Sequence, residues 1–266
     1  MMKNKRRVLK PFVKYTIIAS AAVLVCVVIL VSAITALKGG RTGKLPPNPD
    51  IGKETIVKIE LLDVYPESLR KLFDKHEEAR GFVLSYFLEK DKKQEIDLSE
   101  FEDSEEMPLF LQWDTRWGFM DYGGEFVAVA GCGPVSLSMV GYHLTKNEEL
   151  FSPDKVVEFA LEEGYCVPDS GTSWTLMSEG SKKLGLTVEE LPLVEGMIID
   201  RLEQGKPVIL IMGPGVFTSS GHYIVLRGYE DGYYLVNDPN SVKRTERKWK
   251  FSEFSDQILN IWAFSC

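Results

Sequence analysis

The stretch from Tyr15 to Leu37, YTIIASAAVLVCVVILVSAITAL, runs for 23 residues without a single charge. At about 1.5 Å per residue a helix of this length reaches across roughly 30 Å, the hydrocarbon thickness of a bilayer. A helix buried in a soluble core ordinarily keeps one polar stripe, and this run has none. The chain is therefore expected to divide into a tip at 1–14, a transmembrane anchor at 15–37 and a body beyond it. The tip carries six basic side chains (Lys3, Lys5, Arg6, Arg7, Lys10, Lys14) and no acid, against only Lys38, Arg41 and Lys44 after the run. That imbalance keeps the N-terminus cytoplasmic and places everything from Lys38 outside. A cleaved signal peptide competes, since Val31-Ser32-Ala33 resembles a small-residue cleavage site, and cleavage would leave a secreted body. The apolar stretch exceeds the ~7–15 residues of a signal h-region, which favours an uncleaved single-pass anchor in the cell membrane.

The charge balance narrows the partners. Of 31 basic and 39 acidic residues, all but the six in the tip lie beyond the anchor, leaving the body at 25 against 39, a net of −14. Nucleic-acid binding needs a basic face, so it is excluded. The expected partners are a lipid bilayer for the anchor and, for the body, whatever its chemistry selects. Four cysteines do not make a disulfide scaffold in a chain of 266 residues. Cys26 lies in the apolar run and Cys266 ends the chain, while Cys132 and Cys166 belong to the body; a Cys166–Cys266 bridge stays open.

Residues 38–50, rich in Gly and Pro, read as a spacer. Their GGRTGK is not a phosphate loop, because Lys38 stands where the first glycine of G-x-x-x-x-G-K belongs. Residues 51–107 form a helical segment and an acidic linker. Within VYPESLRKLFDKHEEARGFVLSYFL, apolar residues recur at helical spacing, Pro66 opens the first helix and Gly81 separates two. Seven acids between Glu95 and Glu106 read as a solvated run. The main domain, 108–266, places helices first: CGPVSLSMVGYHL, then SPDKVVEFALEEGY with Ser152 as cap and Pro153 at the first position, TSWTLMSEGSKKLG and EGMIIDRLEQGK. The period then changes to strands in PVILIM, GHYIVLRGYE, GYYLVNDP and ILNIWAFS, with Asp231-Gly232 as a hairpin turn. Helices followed by an antiparallel sheet give an α+β fold.

The Gly131-Cys132-Gly133-Pro134 turn raises the question of chemistry. A thiol attacks only as thiolate, and the start of a helix favours the anion. The glycines remove bulk, so that a substrate backbone can approach. A buried free cysteine at a tight turn is the plain alternative. A nucleophile needs a base, and there are three histidines. His76 lies in the early helical segment, as a surface residue. His143 is eleven residues along the same helix as Cys132, about 16 Å away along its axis. His222 heads a strand after a Gly/Ser-rich turn. The imidazole needs an orienting partner, and VNDPNS offers Asn237 or Asp238. A strict two-residue hairpin puts Asn237 on the face of His222; Asp238 reaches it only through a bulge. Gln112 can supply a neutral donor to an oxyanion. No cluster of His, Cys and Asp has ligand spacing, so no metal or organic cofactor is expected.

Taken together, FLQWDTRWGFMDYGG, GCGPVSLSMV, GTSWTLM, GPGVFTSSGHYIVLRGYEDG and VNDPNS resemble the C39-like branch of papain-fold cysteine peptidases, over about Pro108 to Cys266. The resemblance implies a papain-like fold of helices packed on an antiparallel sheet and a peptide or protein substrate. It implies Cys132 as nucleophile, His222 as general base and acid, Asp238 as orienting residue and Gln112 as oxyanion donor. It favours Asp238 over Asn237, and hence the bulge. The best-known relatives sit on bacteriocin exporters and cut double-glycine leaders in the cytoplasm. One membrane run, no ATPase motif and an external body set this chain apart from them; it resembles stand-alone, surface-anchored bacterial members. The expected activity is thiol-dependent peptide cleavage. An acyl-transferring or amidase enzyme with the same triad, or a non-catalytic surface binding module, are the alternatives.

Overall fold

The run Val208–Met212 alternates its side chains between two apolar layers, and all five residues are buried. Ile209 and Ile211 join one core; Val208, Leu210 and Met212 join another. Such a strand must be covered on both faces, and the rest of the fold supplies the covers. A computed structural model describes residues 64–92, 94–168 and 170–266. The basic tip, the anchor run and the spacer lie outside the described residues. Among the described residues no helix is long and apolar enough to cross a membrane.

The elements are α1 (Glu67–Lys75), α2 (Arg80–Glu89), β1 (Asp121–Tyr122), β2 (Glu125–Phe126), α3 (Val127–Ala130), α4 (Cys132–Thr145), α5 (Glu148–Phe151) and α6 (Pro153–Glu162). There follow β3 (Cys166–Val167), β4 (Gly171–Thr172), α7 (Ser181–Lys183), β5 (Thr187–Glu190), α8 (Glu195–Glu203) and β6 (Val208–Met212). The chain closes with β7 (His222–Glu230), β8 (Tyr233–Asn237), α9 (Val242–Glu246), β9 (Lys248–Trp249) and β10 (Ile258–Ser265). Six strands form one sheet in the order β5-β10-β6-β7-β8-β9, each pair antiparallel. The class is α+β, as the order of helical and strand patterns predicts.

One face of the sheet carries α4 and α6, whose Val135, Met139, Val140 and Val156 meet Ile209, Ile211, Tyr223, Val225 and Trp262. The other carries α8, with Ile198 and Leu202, and the aromatic group Phe217, Trp249 and Phe254. The helix α4 is apolar nearly all round, and Gly133 to Tyr142 are all buried, because it runs through the middle of its layer. Residues Asp231 and Gly232 both adopt positive φ (52° and 83°), the geometry a two-residue hairpin turn requires.

Several local readings need correction. Gly81 lies inside α2; the break between the first two helices falls at His76 to Ala79, where a short 3-10 turn intervenes. Pro153 opens α6, but the hydroxyl of Ser152 donates to Asp154 Oδ1 (2.5 Å) instead of accepting from the helix. The stretch expected to form one helix through Gly185 begins as a π turn at Leu176–Gly180 and ends in the single turn α7. The seven acids of the linker are exposed, as a solvated run should be, yet Leu98 between them is fully buried against α4. The phenol of Tyr142 donates to its carbonyl at 3.0 Å. Cys132, Cys166 and Cys266 are all free thiols.

Candidate active site

The glycines around Cys132 are required by the chain's own packing. A Cβ at Gly131 would stand 2.5 Å from Val127 Cγ1 and 2.7 Å from Val127 O; one at Gly133 would stand 2.6 Å from Thr172 Oγ1. Glycine therefore lets the short α3 turn directly into α4 and lets β4 press against the start of α4. Any room left for a substrate is secondary to this. The turn puts Cys132 first in α4, half-exposed, where helix N–H groups have no partner within the helix.

His222 opens β7 and is buried. The strand carries a bulge: Gly228 faces Leu235, Leu226 faces Val236 and Val225 faces Asn237, so Arg227 is the extra residue. The shift turns Asn237 toward α4, where its Nδ2 donates to Pro108 O at 3.0 Å. It brings Asp238 onto the face of His222, and His222 Nε2 lies 2.7 Å from Asp238 Oδ1. With Nε2 so engaged, Nδ1 is the ring nitrogen left to act on Cys132, whose thiolate His222 favours. The backbone N–H of Tyr223 also favours the thiolate.

The electrostatics follow from this row of contacts. Burial opposes the Cys132 thiolate, but the hydrogen bond and positive charge of His222, with the Tyr223 N–H, outweigh it and lower the thiol pKa. Burial likewise opposes the imidazolium; the carboxylate of Asp238 and the Cys132 sulfur overcome it and push His222 up to about 10. Asp238 is fully buried, yet the charges of His222 and Arg244 hold its carboxyl below the usual carboxylate range. Once Cys132 gives up its proton, the row reads thiolate, imidazolium, carboxylate, guanidinium, with signs alternating.

Gln112 is buried, and its Nε2 donates one hydrogen to Ala128 O at 2.7 Å, leaving a second hydrogen on the same nitrogen. Its Oε1 has no hydrogen-bond partner. Trp117 belongs to the core, with its indole N–H on Leu111 O (2.8 Å), whereas Trp113 donates to Asn240 O at 3.1 Å. His143, in the last turn of α4, keeps a buried Nδ1 without a partner and has its pKa lowered by burial and Lys146. His76 is not a free surface residue: its Nε2 lies 2.5 Å from Asn240 O. A cleft of about 780 Å³ runs from Gln112, Ala128 and Arg244 between α1 and the 217–219 loop. Among the described residues, no three His, Cys, Asp or Glu side chains converge to hold a metal ion.

Sequence reasoning missed Arg244, whose Nε donates to Asp238 Oδ2, and Thr245, whose hydroxyl accepts from Asp238 N at 2.9 Å. A signal was present. Ser241 is a good cap, and a helix opened by it carries Arg244 in its first turn, back toward the aspartate.

Residues 104–263 match the family described as Peptidase_C39 like family. Two solved structures are similar over much of the body. One is the peptidase domain of Streptococcus ComA, a bi-functional ABC transporter involved in a quorum sensing pathway: 19% identity, 51% of this chain and 91% of that chain, TM-score 0.40. The other is described as a C39-like peptidase from Bacillus anthracis: 15% identity, 61% of this chain and 96% of that chain, TM-score 0.41. No curated protein matches the chain.

Proposed function

This chain belongs to the Peptidase_C39 like family, and from that premise we propose that it is a cysteine peptidase acting through Cys132, His222 and Asp238. The observation that carries the reading is the 2.7 Å hydrogen bond between His222 Nε2 and the buried Asp238, on an imidazole that also acts on Cys132 and favours its thiolate. The thiolate attacks the carbonyl carbon of a peptide bond, and the electron pair of the carbonyl moves to its oxygen. The Cys132 N–H and the second hydrogen of Gln112 Nε2 hold that oxyanion. The imidazolium gives its Nδ1 proton to the leaving amine as the C–N bond breaks. Neutral His222 then takes a proton from water, whose oxygen attacks the thioester and releases the acid, restoring the thiolate–imidazolium pair. Asp238 holds the ring in the orientation that both proton transfers need.

The anchor at 15–37 and the basic tip support a location on the outer face of the cell membrane, with external peptides or proteins as substrates. Incubation with a peptide bearing a thiol-directed electrophile tests the activity: wild type is labelled once, at Cys132, and Cys132→Ser is not. Equal labelling of the two proteins would sink the proposal. Protease shaving of intact cells tests the location, and protection of the body would overturn it.

A further inference from the structure

The helical pair α1–α2 precedes residue 104, where the family match begins, yet it grips the loop that carries Asp238. Asp238 Oδ1 accepts from His222 Nε2 (2.7 Å) and Asn240 N (2.8 Å), and Oδ2 accepts from Arg244 Nε. Arg244 rides on α9, a helix of five residues. So short a helix has no stability of its own, and its place depends on what holds its ends. Trp249 Nε1 holds the far end through Arg244 O at 2.9 Å. Glu78 holds the near end: Oε1 accepts from Ser241 Oγ (2.6 Å), and Oε2 accepts from the backbone N–H of Val242 (2.8 Å) and Lys243 (3.1 Å). Ser241 Oγ in turn accepts from Arg244 N at 3.1 Å. His76 and Trp113 secure the preceding turn through Asn240 O. The exposed pair of Glu77 and Lys243 adds little.

We propose that Arg244 is a positioning residue for the candidate triad, and that Glu78 of the N-terminal helical pair sets it. The line of action runs from Glu78 through the start of α9 to Arg244, Asp238 and His222. This inference rests on the peptidase reading above and extends it to a segment outside the family match. The helical pair is seated independently of Glu78. Leu69, Phe82 and Val83 bury with Ala128 against Trp113, Phe119 and Phe126, so removing one carboxylate does not undock it.

The test is the pH dependence of Cys132 alkylation by iodoacetamide in the full-length protein, read with kcat and KM on a cleaved peptide. Wild type should show a midpoint below the ordinary thiol value of about 8.5. Without the guanidinium, Asp238 takes up a proton more readily and holds the imidazolium less firmly, so thiolate forms at higher pH. Arg244→Gln should raise the midpoint by about one unit, a tenfold effect, with the loss in kcat rather than KM. Glu78→Ala should raise it by about half a unit in the same direction. Arg244→Lys and Glu78→Gln should recover part of each shift, and they serve if the harsher variants do not fold. The double variant Glu78→Ala/Arg244→Gln should be no worse than Arg244→Gln alone. Lowered melting temperature with an unmoved midpoint, or fully additive shifts, would overturn the line of action. An ordinary midpoint in wild type would instead sink the thiolate–imidazolium reading itself, and this inference with it.

Discussion

Cys132 and Asp238 flank the same imidazole, and they are held in opposite ways. Cys132 is fixed by shape: two glycines, a proline and a helix buried in apolar side chains leave its position no latitude. Asp238 is fixed by the register shift at Arg227 and by three polar contacts: the backbone of Asn240, the guanidinium of Arg244 and the hydroxyl of Thr245. Packing here tolerates no added atom. The polar cage is built from separate contacts and fails in steps, one partner at a time. A nucleophile placed by packing and an orienting group placed by a cage should respond differently to substitution.

The largest effect expected is at Cys132, where replacement by alanine removes the nucleophile and lowers kcat by on the order of 10⁶-fold. Residual turnover close to wild type would break the comparison at its first member. Asp238→Asn keeps the shape of the cage and removes its charge; kcat should fall by about 10²–10⁴-fold, with the circular dichroism spectrum unchanged. Gln112→Ala should cost about 10²–10³-fold in kcat with little change in KM; an effect confined to KM would assign it to substrate binding instead. The pH profile sharpens the electrostatic side. With His222 raised to about 10, the imidazolium persists through neutrality, so peptidase activity should hold on the alkaline side and fall as pH approaches that value. On the acid side activity should fall as the thiolate takes up its proton, below the ordinary thiol range. In His222→Gln the burial of Cys132 loses its main opponent, and alkylation should require a higher pH than in wild type. The smallest effect is Arg227→Ala: the bulge is a matter of residue count, its side chain is exposed, and activity should not change.

Much of this was legible before any coordinates. The switch from helical to alternating periodicity exposed the α+β order, and Asp231-Gly232 marked the hairpin. His143 was set aside by distance along one helix, which placed it in the last turn of α4, far from Cys132 at its start. The bulge was harder: a strict register puts Asp238 on the wrong face, and only likeness to a known pattern argued for the extra residue. What stayed hidden was non-local. Nothing near Glu78 announces that its carboxylate caps a helix 164 residues away. Periodicity reports which face of a helix is apolar, but the partner of a polar side chain depends on how separate elements dock. The same limit explains His76, which reads as a surface residue until Asn240 is brought beside it.

The six-stranded sheet has its own further consequence at its two margins. One margin is β9, only two residues long; the other is β5, Thr187 to Glu190, with adjacent glutamates at its end. Glu189 is paired with Arg201 (2.7 Å), and Glu190 accepts from Asn260 at 2.9 Å. A neighbouring chain seeking to extend the ladder meets either too few free amides to pair with or a pair of carboxylates it would have to desolvate. The fold can thus keep a broad, apolar sheet at its centre and still resist stacking edge to edge with its own copies.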